Sequence, residues 1–426
     1  MWGTRIGVIH IDEGMPYASF EYDRDFVNSG IELSPLMMPL SRRVYEFPNL
    51  AGGAFRGLPG LIADSLPDKF GNAIISRWLI SQGKSDRDFN VLDRLCYTGK
   101  RGMGALEFEP ATESDSELTE EIKVREMVDF ASKVLRDRES KTVIKTRETG
   151  FEQLLRFGTS AGGARAKAII AWNEKTNEIK SGQIEAGEGF DYWLMKFDGV
   201  KGNGDHGLED EPEYTLIEYA YYKMALAAGI EMSECRLFEE GKRHHFMTRR
   251  FDRADGKKIH MQTLGAIAHI DYNYPGICSY EQAAGYMRQM RIPAMEVERL
   301  FRRMVFNVLA VNQDDHVKNI SFLMDKSGTW RLAPAYDMTF SHDSTNLWLS
   351  AHQMLINGKK EAITHGDMIA CGRNMDISTP RCNRIITDVV DAVEKWPIFA
   401  SQNGIREKTA DQINQKLIIA KNSMGV

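Results

Sequence analysis

Residues 312–319 read Asn-Gln-Asp-Asp-His-Val-Lys-Asn, and a further aspartate, Asp337, follows eighteen residues after Asn319. In protein kinases the catalytic aspartate precedes a magnesium-binding asparagine by five residues, and a second magnesium-binding aspartate comes one short β-hairpin later. Asp314 and Asn319 have this separation. The spacing therefore predicts a site for phosphoryl transfer, in which Asp314 orients a hydroxyl nucleophile and accepts its proton.

The segment 320–334 supports this interpretation. It consists of two apolar runs around Asp325-Lys-Ser-Gly328, which is the composition of a β-hairpin and its turn. Such a hairpin would bring the two carboxylates, Asp314 and Asp337, onto one wall of a cleft. Carboxylate and amide oxygens are the ligands that Mg²⁺ prefers, so we expect Asn319 and Asp337 to hold the metal.

Two other interpretations of the octet are open from the residues alone. Asp-Asp-His at a helix end is commonly a solvated cap, because Asp and Asn hydrogen-bond the local backbone. The same three residues also suggest a metal hydrolase. No His-x-x-x-His or Cys-x-x-Cys spacing accompanies them in the sequence, which makes a zinc site the weaker alternative.

The composition is that of an ordinary globular protein. The chain has 426 residues, of which 42% are hydrophobic and 27% charged, and it contains no run of eighteen apolar residues. Polar and acidic residues interrupt its start, so we expect a cytoplasmic protein without a signal peptide or a membrane partner. The five scattered cysteines argue against a disulfide framework, and the net charge of −6 argues against general polyanion binding.

Alternating and helical periodicities predict the arrangement of elements along the chain. A turn-rich, alternating start predicts a β-meander, and an acidic, Ser-rich segment at 112–121 marks a boundary. The predicted elements are strands 7–11, 17–22 and 43–47, helices 68–80 and 122–136, strands 168–172 and 192–197, helix 213–228, strand 245–251, and helices 280–290, 294–311 and 387–396.

These elements indicate an α+β chain of three parts. A small β-rich domain covers residues 1–110, a small lobe with a glycine-rich loop and an ATP lysine covers 120–255, and a mostly helical large lobe with the catalytic and metal-binding motifs covers 256–426. The acidic segment and the change from strands to helices set these bounds.

The small lobe contains two candidate phosphate-binding features. Gly158, Gly162 and Gly163 permit backbone amides to approach a phosphate closely, and Lys196 can pair with the α and β phosphates. Taken singly, such a glycine turn is commonly structural, and a strand lysine commonly reaches the surface. In order along the chain, however, loop, lysine strand, acidic helix residue, Asp-x-x-x-x-Asn and final Asp follow the kinase arrangement, which favours ATP and Mg²⁺ as cofactors.

The residues also carry a family resemblance over nearly the whole chain. The motif Asp-x-His-x-Lys-Asn, here Asp314-Asp-His-Val-Lys-Asn319, resembles that of the HipA family, bacterial serine/threonine kinases that act as toxins in type II toxin–antitoxin pairs. Further stretches that resemble the family are 55–71, 102–106, 160–167, 250–253, 260–264 and 335–337.

The resemblance implies a two-lobed protein-kinase-like fold, phosphatidylinositol-kinase-like in the large lobe, after a small β-rich domain. It implies Asp314 as the catalytic aspartate, Asn319 and Asp337 as Mg²⁺ ligands, and Lys196 as the lysine that binds the ATP phosphates. Residues that would also contact ATP are Ser160, Ala161, Gly162, Gly163 and Ala164 in the loop, Thr248, Arg249, Arg250 and Phe251 between the lobes, and His316 and Lys318 in the motif.

Two further roles follow from the resemblance. Glu218 is the candidate for an ion pair with Lys196, with Glu213 as the weaker alternative. Ser160 matches the serine that the family autophosphorylates, the alternative being an ordinary turn serine. A phosphate adds about −1.5 to −2 charges, so its presence in a loop that receives ATP phosphates would inactivate the enzyme by repulsion.

The leading functional hypothesis is a kinase toxin that phosphorylates a cytoplasmic protein, in the family a part of the translation machinery. A small helix-turn-helix antitoxin (HipB-like) would hold it in check and mediate any contact with DNA, since the chain shows no basic recognition helix of its own. The alternatives are a catalytically weak co-repressor that acts through the same partner, and a small-molecule phosphotransferase. The intact Asp314, Asn319, Asp337 and Lys196 favour the kinase over the co-repressor.

Overall fold

The structure is a computed structural model, and it describes most of the chain. The described residues are 1–81, 83–85, 89–111, 124–136, 165–183, 185–200, 213–254 and 256–425. Contacts divide the chain into two compact units. The first comprises Met1–Gly3, Ser65–Thr215 and Glu234–His260, and the second comprises Thr4–Asp64, Leu216–Ser233 and Met261–Val426. The domain bounds 1–110, 120–255 and 256–426 stay predictions.

The strands, in chain order, are β1 (Gly7–His10), β2 (Ser19–Tyr22), β3 (Tyr45–Glu46), β4 (Lys167–Asn173), β5 (Glu178–Ser181), β6 (Asp191–Lys196), β7 (Cys235–Glu240), β8 (Arg243–Arg249), β9 (Arg253–Ala254), β10 (Lys257–Lys258), β11 (His260–Thr263), β12 (Ser321–Met324) and β13 (Trp330–Leu332). The α-helices of the described residues are α1 (Arg24–Val27), α2 (Gly60–Ala63), α3 (Lys69–Ser81), α4 (Val91–Thr98), α5 (Val124–Arg136), α6 (Tyr214–Ala227), α7 (Leu264–Ala268), α8 (Tyr280–Gln289), α9 (Ala294–Leu309), α10 (His365–Asn374), α11 (Thr379–Val393), α12 (Trp396–Gln402) and α13 (Glu407–Met424).

The first unit is built on a five-stranded antiparallel sheet with the order β5-β4-β6-β8-β7. Apolar side chains of its central strands, among them Ile170, Trp193 and Met247, form one core with residues of α3 and α5 such as Ile74 and Val128. The strand β4 is buried along most of its length, which explains its nearly continuous apolar sequence. This sheet carries Lys196 at the end of β6.

The second unit contains two small sheets and most of the helices. The strands β1, β2 and β3 form the antiparallel meander that the sequence predicts, and β12 and β13 form the predicted hairpin beside β11. Both the meander and the hairpin are therefore confirmed. The long helix α9 presents a broad apolar face to the interior, and the loop 312–319 leaves from its C-terminal end.

Most predicted elements differ from the observed ones by one or two residues at an end; the helix predicted over 294–311, for example, ends at Leu309. The strand predicted over 245–251 covers Arg243–Arg249, and the helix predicted over 387–396 overlaps only the second half of α11, which starts at Thr379 and ends at Val393. Pro380 lies in the first turn of α11, where proline is tolerated because that amide has no helical partner. A new helix, α12, begins at Trp396. None of the helices in the described ranges is long and apolar enough to cross a bilayer.

Candidate active site

The loop that carries the Asp-x-x-x-x-Asn motif leaves α9 through a sharp backbone turn. Val311 has a φ of +55°, a left-handed value that β-branched residues rarely adopt. The turn is held by hydrogen bonds on both sides: Asn312 N donates to Asn307 O at 2.9 Å, and Ser341 N donates to Val311 O at 3.1 Å. The strain is therefore sustained by the surrounding backbone, and it determines where the motif starts.

Within the loop, Asp314 and Asn319 are joined directly. The Asn319 Nδ2 atom donates to the Asp314 backbone carbonyl at 2.8 Å, and Asn319 N donates to His316 O at 2.9 Å. This arrangement leaves Asn319 Oδ1 as the acceptor that the amide can offer to a cation. The Asp314 side chain is 37% exposed, and its Oδ1 lies 3.8 Å from His316 Nε2. The loop thus holds its own shape while the Asp314 carboxylate reaches solvent.

Asp337 is positioned by the segment that follows the hairpin β12-β13. Ala335 N donates to Glu231 O at 2.8 Å, and the Tyr336 hydroxyl donates to Lys318 O at 2.6 Å. The second bond ties this segment to the loop 312–319. Asp337 itself has a φ of +52°, a conformation that aspartate tolerates better than most residues.

The structure brings the two predicted metal ligands together. Asn319, Asp337 and His316 line a single cavity of about 20 Å³, which is large enough for one water-sized group. The polar residues that complete its wall are Tyr280, Arg303, Asn307, Asn312, Asp315 and Tyr336. The two predicted ligands therefore share one cavity, whereas Asp314 is not among the residues that line it, and the metal-binding role of each residue stays a prediction.

Asp315 has a structural position that the sequence did not indicate. Its carboxylate is buried and accepts hydrogen bonds from the Tyr280 hydroxyl at 2.9 Å and from Gln353 N at 2.7 Å, with His352 Nδ1 at 3.1 Å. Asn307 Nδ2 in turn donates to the same hydroxyl at 3.0 Å. Asp315 thus anchors the loop to Tyr280 and to the segment 352–353. Nothing in the doublet Asp-Asp distinguishes this residue from Asp314.

Arg303 is a buried cation in the same wall. Its Nη2 donates to Ala333 O at 2.5 Å, while its Nε and Nη1 atoms are buried without a hydrogen-bond partner among the described residues. Burial lowers the pKa of Arg303 to about 10, so the guanidinium remains charged at neutral pH. Arg303 and Asn307 lie one turn apart on the apolar face of α9, and two polar residues at this spacing on such a face were a detectable signal.

In the first unit, Lys196 ends β6 and is 7% exposed. It lies opposite Lys167 of β4 and Phe246 of β8, with its Nζ 5.8 Å from the Phe246 ring. Lys167 forms a buried ion pair with Asp68 at 3.3 Å. Two buried lysines thus lie opposite each other on neighbouring strands, and the assignment of Lys196 to the ATP phosphates stays a prediction.

The candidate partner of Lys196 belongs to the second unit. Glu218 lies on α6 and is 2% exposed, and Glu213, the weaker alternative, precedes that helix in the first unit. The ion pair between Lys196 and Glu218 stays a prediction.

The predicted adenine-contacting segment combines strand and turn. Thr248 and Arg249 end β8, and Arg250 and Phe251 follow it. The Arg250 side chain is buried and pairs with Asp252, whose Oδ2 lies 2.7 Å from Arg250 Nη2. Because this guanidinium is engaged with Asp252, we expect any nucleotide contact of Arg250 to come from its backbone.

The negative charge of Asp252 is compensated by two arginines and a backbone amide. Arg253 Nη1 and Gly104 N each lie 2.7 Å from its Oδ2, in addition to the pair with Arg250. Burial by itself would raise the pKa of Asp252, but the charges of Arg250 and Arg253 and the hydrogen bonds outweigh it and hold the pKa well below its usual range. The segment 250–253 is therefore a structural ion cluster.

The glycine-rich loop lies outside the described residues. Ser160, Ala161, Gly162, Gly163 and Ala164 belong to this part of the chain, so their phosphate contacts and the modification of Ser160 stay predictions.

Comparisons with known families identify the chain. Residues 159–396 match the family model described as the HipA-like C-terminal domain, and residues 1–109 match the HipA N-terminal domain. The chain belongs to the HipA family. The resemblance that the sequence motifs carry is thereby confirmed.

Two curated relatives carry kinase names. One, named "Putative kinase", comes from Haemophilus influenzae and is 31% identical over 159 residues, which cover 33% of this chain and 46% of the relative. The other, named "Putative kinase Y4mE", comes from Sinorhizobium fredii and is 28% identical over 196 residues, which cover 42% of this chain and 46% of the relative. The chain therefore spans about half the length of the curated relatives it matches.

A solved structure shares the fold over nearly the whole chain. It is described as the Shewanella oneidensis MR-1 toxin–antitoxin system HipA, HipB and its operator DNA complex, and it aligns with a TM-score of 0.65 at 18% identity. The alignment covers 98% of this chain and 94% of that chain. At this identity the likeness shows the fold alone. The predicted α+β fold of the HipA type, with its β-rich N-terminal region, is confirmed.

Proposed function

We propose that this chain is a HipA-type protein serine/threonine kinase that transfers the γ-phosphoryl group of ATP to a protein hydroxyl. The observation that carries the proposal is the convergence of Asn319 and Asp337 on one cavity, next to the loop that holds Asp314 toward solvent. The kinase names of two relatives support the same reaction class.

The oxygen donors at this cavity fit a magnesium ion. Asn319 offers Oδ1, because its Nδ2 is engaged with the Asp314 carbonyl, and Asp337 offers a carboxylate. Both are hard oxygen ligands of the type that Mg²⁺ selects. When bound with ATP, the ion would neutralise charge on the phosphates. Asp314 would orient the substrate hydroxyl and accept its proton, and Lys196 would bind the phosphates.

The test is phosphoryl transfer from labelled ATP by the purified full chain, together with calorimetry of Mg²⁺-ATP binding. Asp337→Asn and Asn319→Ala each remove a metal oxygen, so we expect both variants to lose at least about tenfold in Mg²⁺-ATP affinity as well as in rate. Asp325→Asn, in the exposed hairpin turn, is the matched control and should behave as wild type. Unchanged Mg²⁺-ATP affinity in both site variants would overturn the metal assignment.

We further propose that phosphorylation of Ser160 inactivates the enzyme, because a phosphate of about −1.5 to −2 charges would repel ATP from the glycine-rich loop. Ser160→Ala should therefore stay active longer during incubation with Mg²⁺-ATP. Mass spectrometry of the wild type should find phosphate on Ser160, and a time course without any such phosphate would contradict self-inactivation.

The proposed partner is a small helix-turn-helix antitoxin similar to HipB, and the proposed location is the cytoplasm. The solved Shewanella oneidensis complex contains HipA, HipB and operator DNA, which supports a partner of this kind. With a net charge of −6, this chain is poorly suited to bind DNA phosphates, whereas a basic antitoxin dimer would present a positive surface to them. Gel-shift measurements should show promoter binding only when the antitoxin is added, and light scattering should show two kinase chains per antitoxin dimer.

The proposed substrate is a protein of the translation machinery. Phosphoproteomics after brief expression of the wild type, with Asp314→Asn as the inactive control, should find one dominant new phosphosite on such a protein. A spectrum of sites without any translation protein would contradict this assignment while leaving the kinase activity in place.

A further inference from the structure

Asp64, at the end of the short helix α2, forms two hydrogen bonds with one threonine, Thr263, and both residues belong to the second unit. Asp64 Oδ2 accepts the Thr263 N–H at 2.6 Å, and its Oδ1 accepts the Thr263 hydroxyl at 2.9 Å. Loss of solvent contact raises the pKa of the Asp64 carboxyl, and the positive charge of Lys318 opposes that rise. A carboxylate with both oxygens engaged on one residue determines the position of that residue closely.

Thr263 in turn starts the helix α7. Its Oγ1 accepts the Ala266 N–H at 3.1 Å, which is the usual bond of an N-terminal helix cap. The first two amides of the helix donate to residues 312–320, here called the catalytic loop. Leu264 N donates to Ile320 O at 2.8 Å, and Gly265 N donates to Val317 O at 3.2 Å. Val317 and Ile320 directly flank Lys318 and Asn319 in the sequence. The first turn of α7 therefore holds the loop on both sides of these two residues.

The helix α2 leaves no clearance against α7. A Cβ atom built on Gly60 would lie 2.0 Å from the Ala266 carbonyl oxygen, so only glycine fits at this crossing. Gly60 N also donates to His269 Nε2 at 3.0 Å, and burial lowers the pKa of His269 to about 4, which keeps the ring neutral as an acceptor. The position of α2, and with it Asp64, is thus determined at both ends.

We propose that Asp64 is a positioning residue for the catalytic loop. Asp64 orients Thr263, Thr263 caps α7, and the first amides of α7 hold Val317 and Ile320 around Lys318 and Asn319. The effect on catalysis rests on the proposed kinase function, whereas the mechanical link can be measured without it. On this view the segment Thr4–Asp64, which belongs to the family's N-terminal domain, helps to build the active site.

The chain offers a matched control in Asp367. This carboxylate is likewise buried and likewise accepts the N–H and the hydroxyl of a helix-capping threonine, Thr364, at 2.9 and 2.6 Å. Its other side-chain partners are Asn357 and Lys359, which are not part of the loop 312–319. Asp64→Asn and Asp367→Asn therefore remove the same kind of interaction from the same unit, and only the first should disturb the catalytic loop.

The first measurement is hydrogen exchange at single amides. In Asp64→Asn we expect the amides of Leu264 and Gly265 to exchange at least about tenfold faster, since the paired hydrogen bonds that orient the capping threonine are lost. In Asp367→Asn both amides should exchange as in the wild type once global stability is matched. Equal exchange at Leu264 and Gly265 in wild type and Asp64→Asn would overturn the proposal, whatever the activity.

The second measurement is the rate at saturating Mg²⁺-ATP. Displacement of Asn319 and Lys318 by a fraction of an ångström should lower kcat by about 10- to 100-fold in Asp64→Asn, while Asp367→Asn stays within about threefold of wild type. Thr263→Ser keeps the hydroxyl and should retain activity. Thr263→Val removes it and should lose activity, and adding Asp64→Asn to Thr263→Val should cost little more, because the two residues act through one contact.

These two measurements separate the possible failures. A wild type without any phosphoryl transfer would overturn the proposed function, and the exchange experiment would still decide the link between Asp64 and the loop. Equal loss of activity in Asp64→Asn and Asp367→Asn would mean a general loss of stability and would overturn the positioning role. If Asp64→Asn does not fold, Thr263→Val tests the same link by both measurements, because valine keeps the shape of the side chain.

Discussion

The segment 250–253 and the loop 314–319 both contain an aspartate within a charged family motif, and they use that charge in opposite ways. Asp252 is fully buried between Arg250 and Arg253, with no exposed side-chain surface. Asp314 keeps 37% of its side chain exposed, on a loop whose shape is held by other groups. A carboxylate that stabilises the fold has its charge balanced inside the protein, whereas one that acts on a substrate has to remain accessible.

The same contrast recurs between two neighbours in the loop itself. Asp315 is buried and takes part in three side-chain and backbone contacts, while Asp314 reaches solvent. One carboxylate can therefore anchor the loop while its neighbour in the sequence reaches solvent. Burial thus separates Asp315, a structural acid, from Asp314, the proposed reactive acid, and this difference can be tested residue by residue.

The largest effect should come from Asp314→Asn. Loss of the proposed general base should lower the rate of phosphoryl transfer by about 10²- to 10⁴-fold. Because both metal ligands remain, Mg²⁺-ATP affinity should stay within roughly tenfold, and the melting temperature should be unchanged because the side chain is partly exposed. Transfer assays, calorimetry and thermal unfolding measure the three quantities. Full activity in this variant would remove Asp314 from the mechanism.

Asp252→Asn should have the opposite profile. The substitution leaves the buried charges of Arg250 and Arg253 without a counter-ion, so we expect the free energy of unfolding to fall by about 3–5 kcal/mol. The measurement is the urea midpoint at neutral pH. A midpoint equal to that of the wild type would show that the ion cluster contributes nothing to stability.

The pH dependence of this difference follows from the pKa of Asp252. Its pKa is lowered on folding, so the carboxylate contributes stability fully at pH values above its unfolded pKa of about 3.9, and the contribution is lost as the pH falls below that value. The difference in unfolding free energy between wild type and Asp252→Asn should therefore shrink as the pH is lowered from about 5 toward 3. A difference that stays constant over this range would contradict the charge-based explanation.

Asp315→Asn should affect both stability and rate. The amide would place an N–H against the donors that now reach the carboxylate, and we expect a loss of about 1–3 kcal/mol in unfolding free energy. The rate should fall as well, since the anchored loop carries Asp314 and Asn319. Urea unfolding and transfer assays on the same preparation measure both quantities. A variant with a lower rate but an unchanged free energy of unfolding would assign Asp315 to the chemistry instead.

The smallest effect should come from Asp191→Asn. Asp191 pairs with Arg249, the neighbour of Arg250, but the two side chains are 51% and 48% exposed. Exposed ion pairs contribute about 0.2–1 kcal/mol, and salt screens them. The urea midpoint should thus change little at low salt and not measurably at high salt. A loss as large as that of Asp252→Asn would mean that burial does not separate the two pairs.

Much of the local structure was accessible from sequence patterns. The apolar periodicity predicted α8 and α9, the turn composition predicted the hairpin β12-β13, and the start of the chain predicted the meander. These signals are local, because a helix or hairpin records its own period and turn residues within about ten residues. The helix α11 was predicted only in its second half, although Pro380 in its first turn is typical of a helix start.

The sequence by itself determined the family, the α+β fold and the convergence of Asn319 and Asp337, because the motif spacing and the hairpin between its parts are properties of neighbouring residues. Only the tertiary structure decided that Asp315 is an anchor and that Asp64 reaches Thr263. Asp64 and Thr263 are 199 positions apart, and a hydrogen bond over such a separation leaves no periodic pattern or motif spacing in the sequence. Contacts of this kind depend on how packed elements meet, which is why they emerge only once the fold is known.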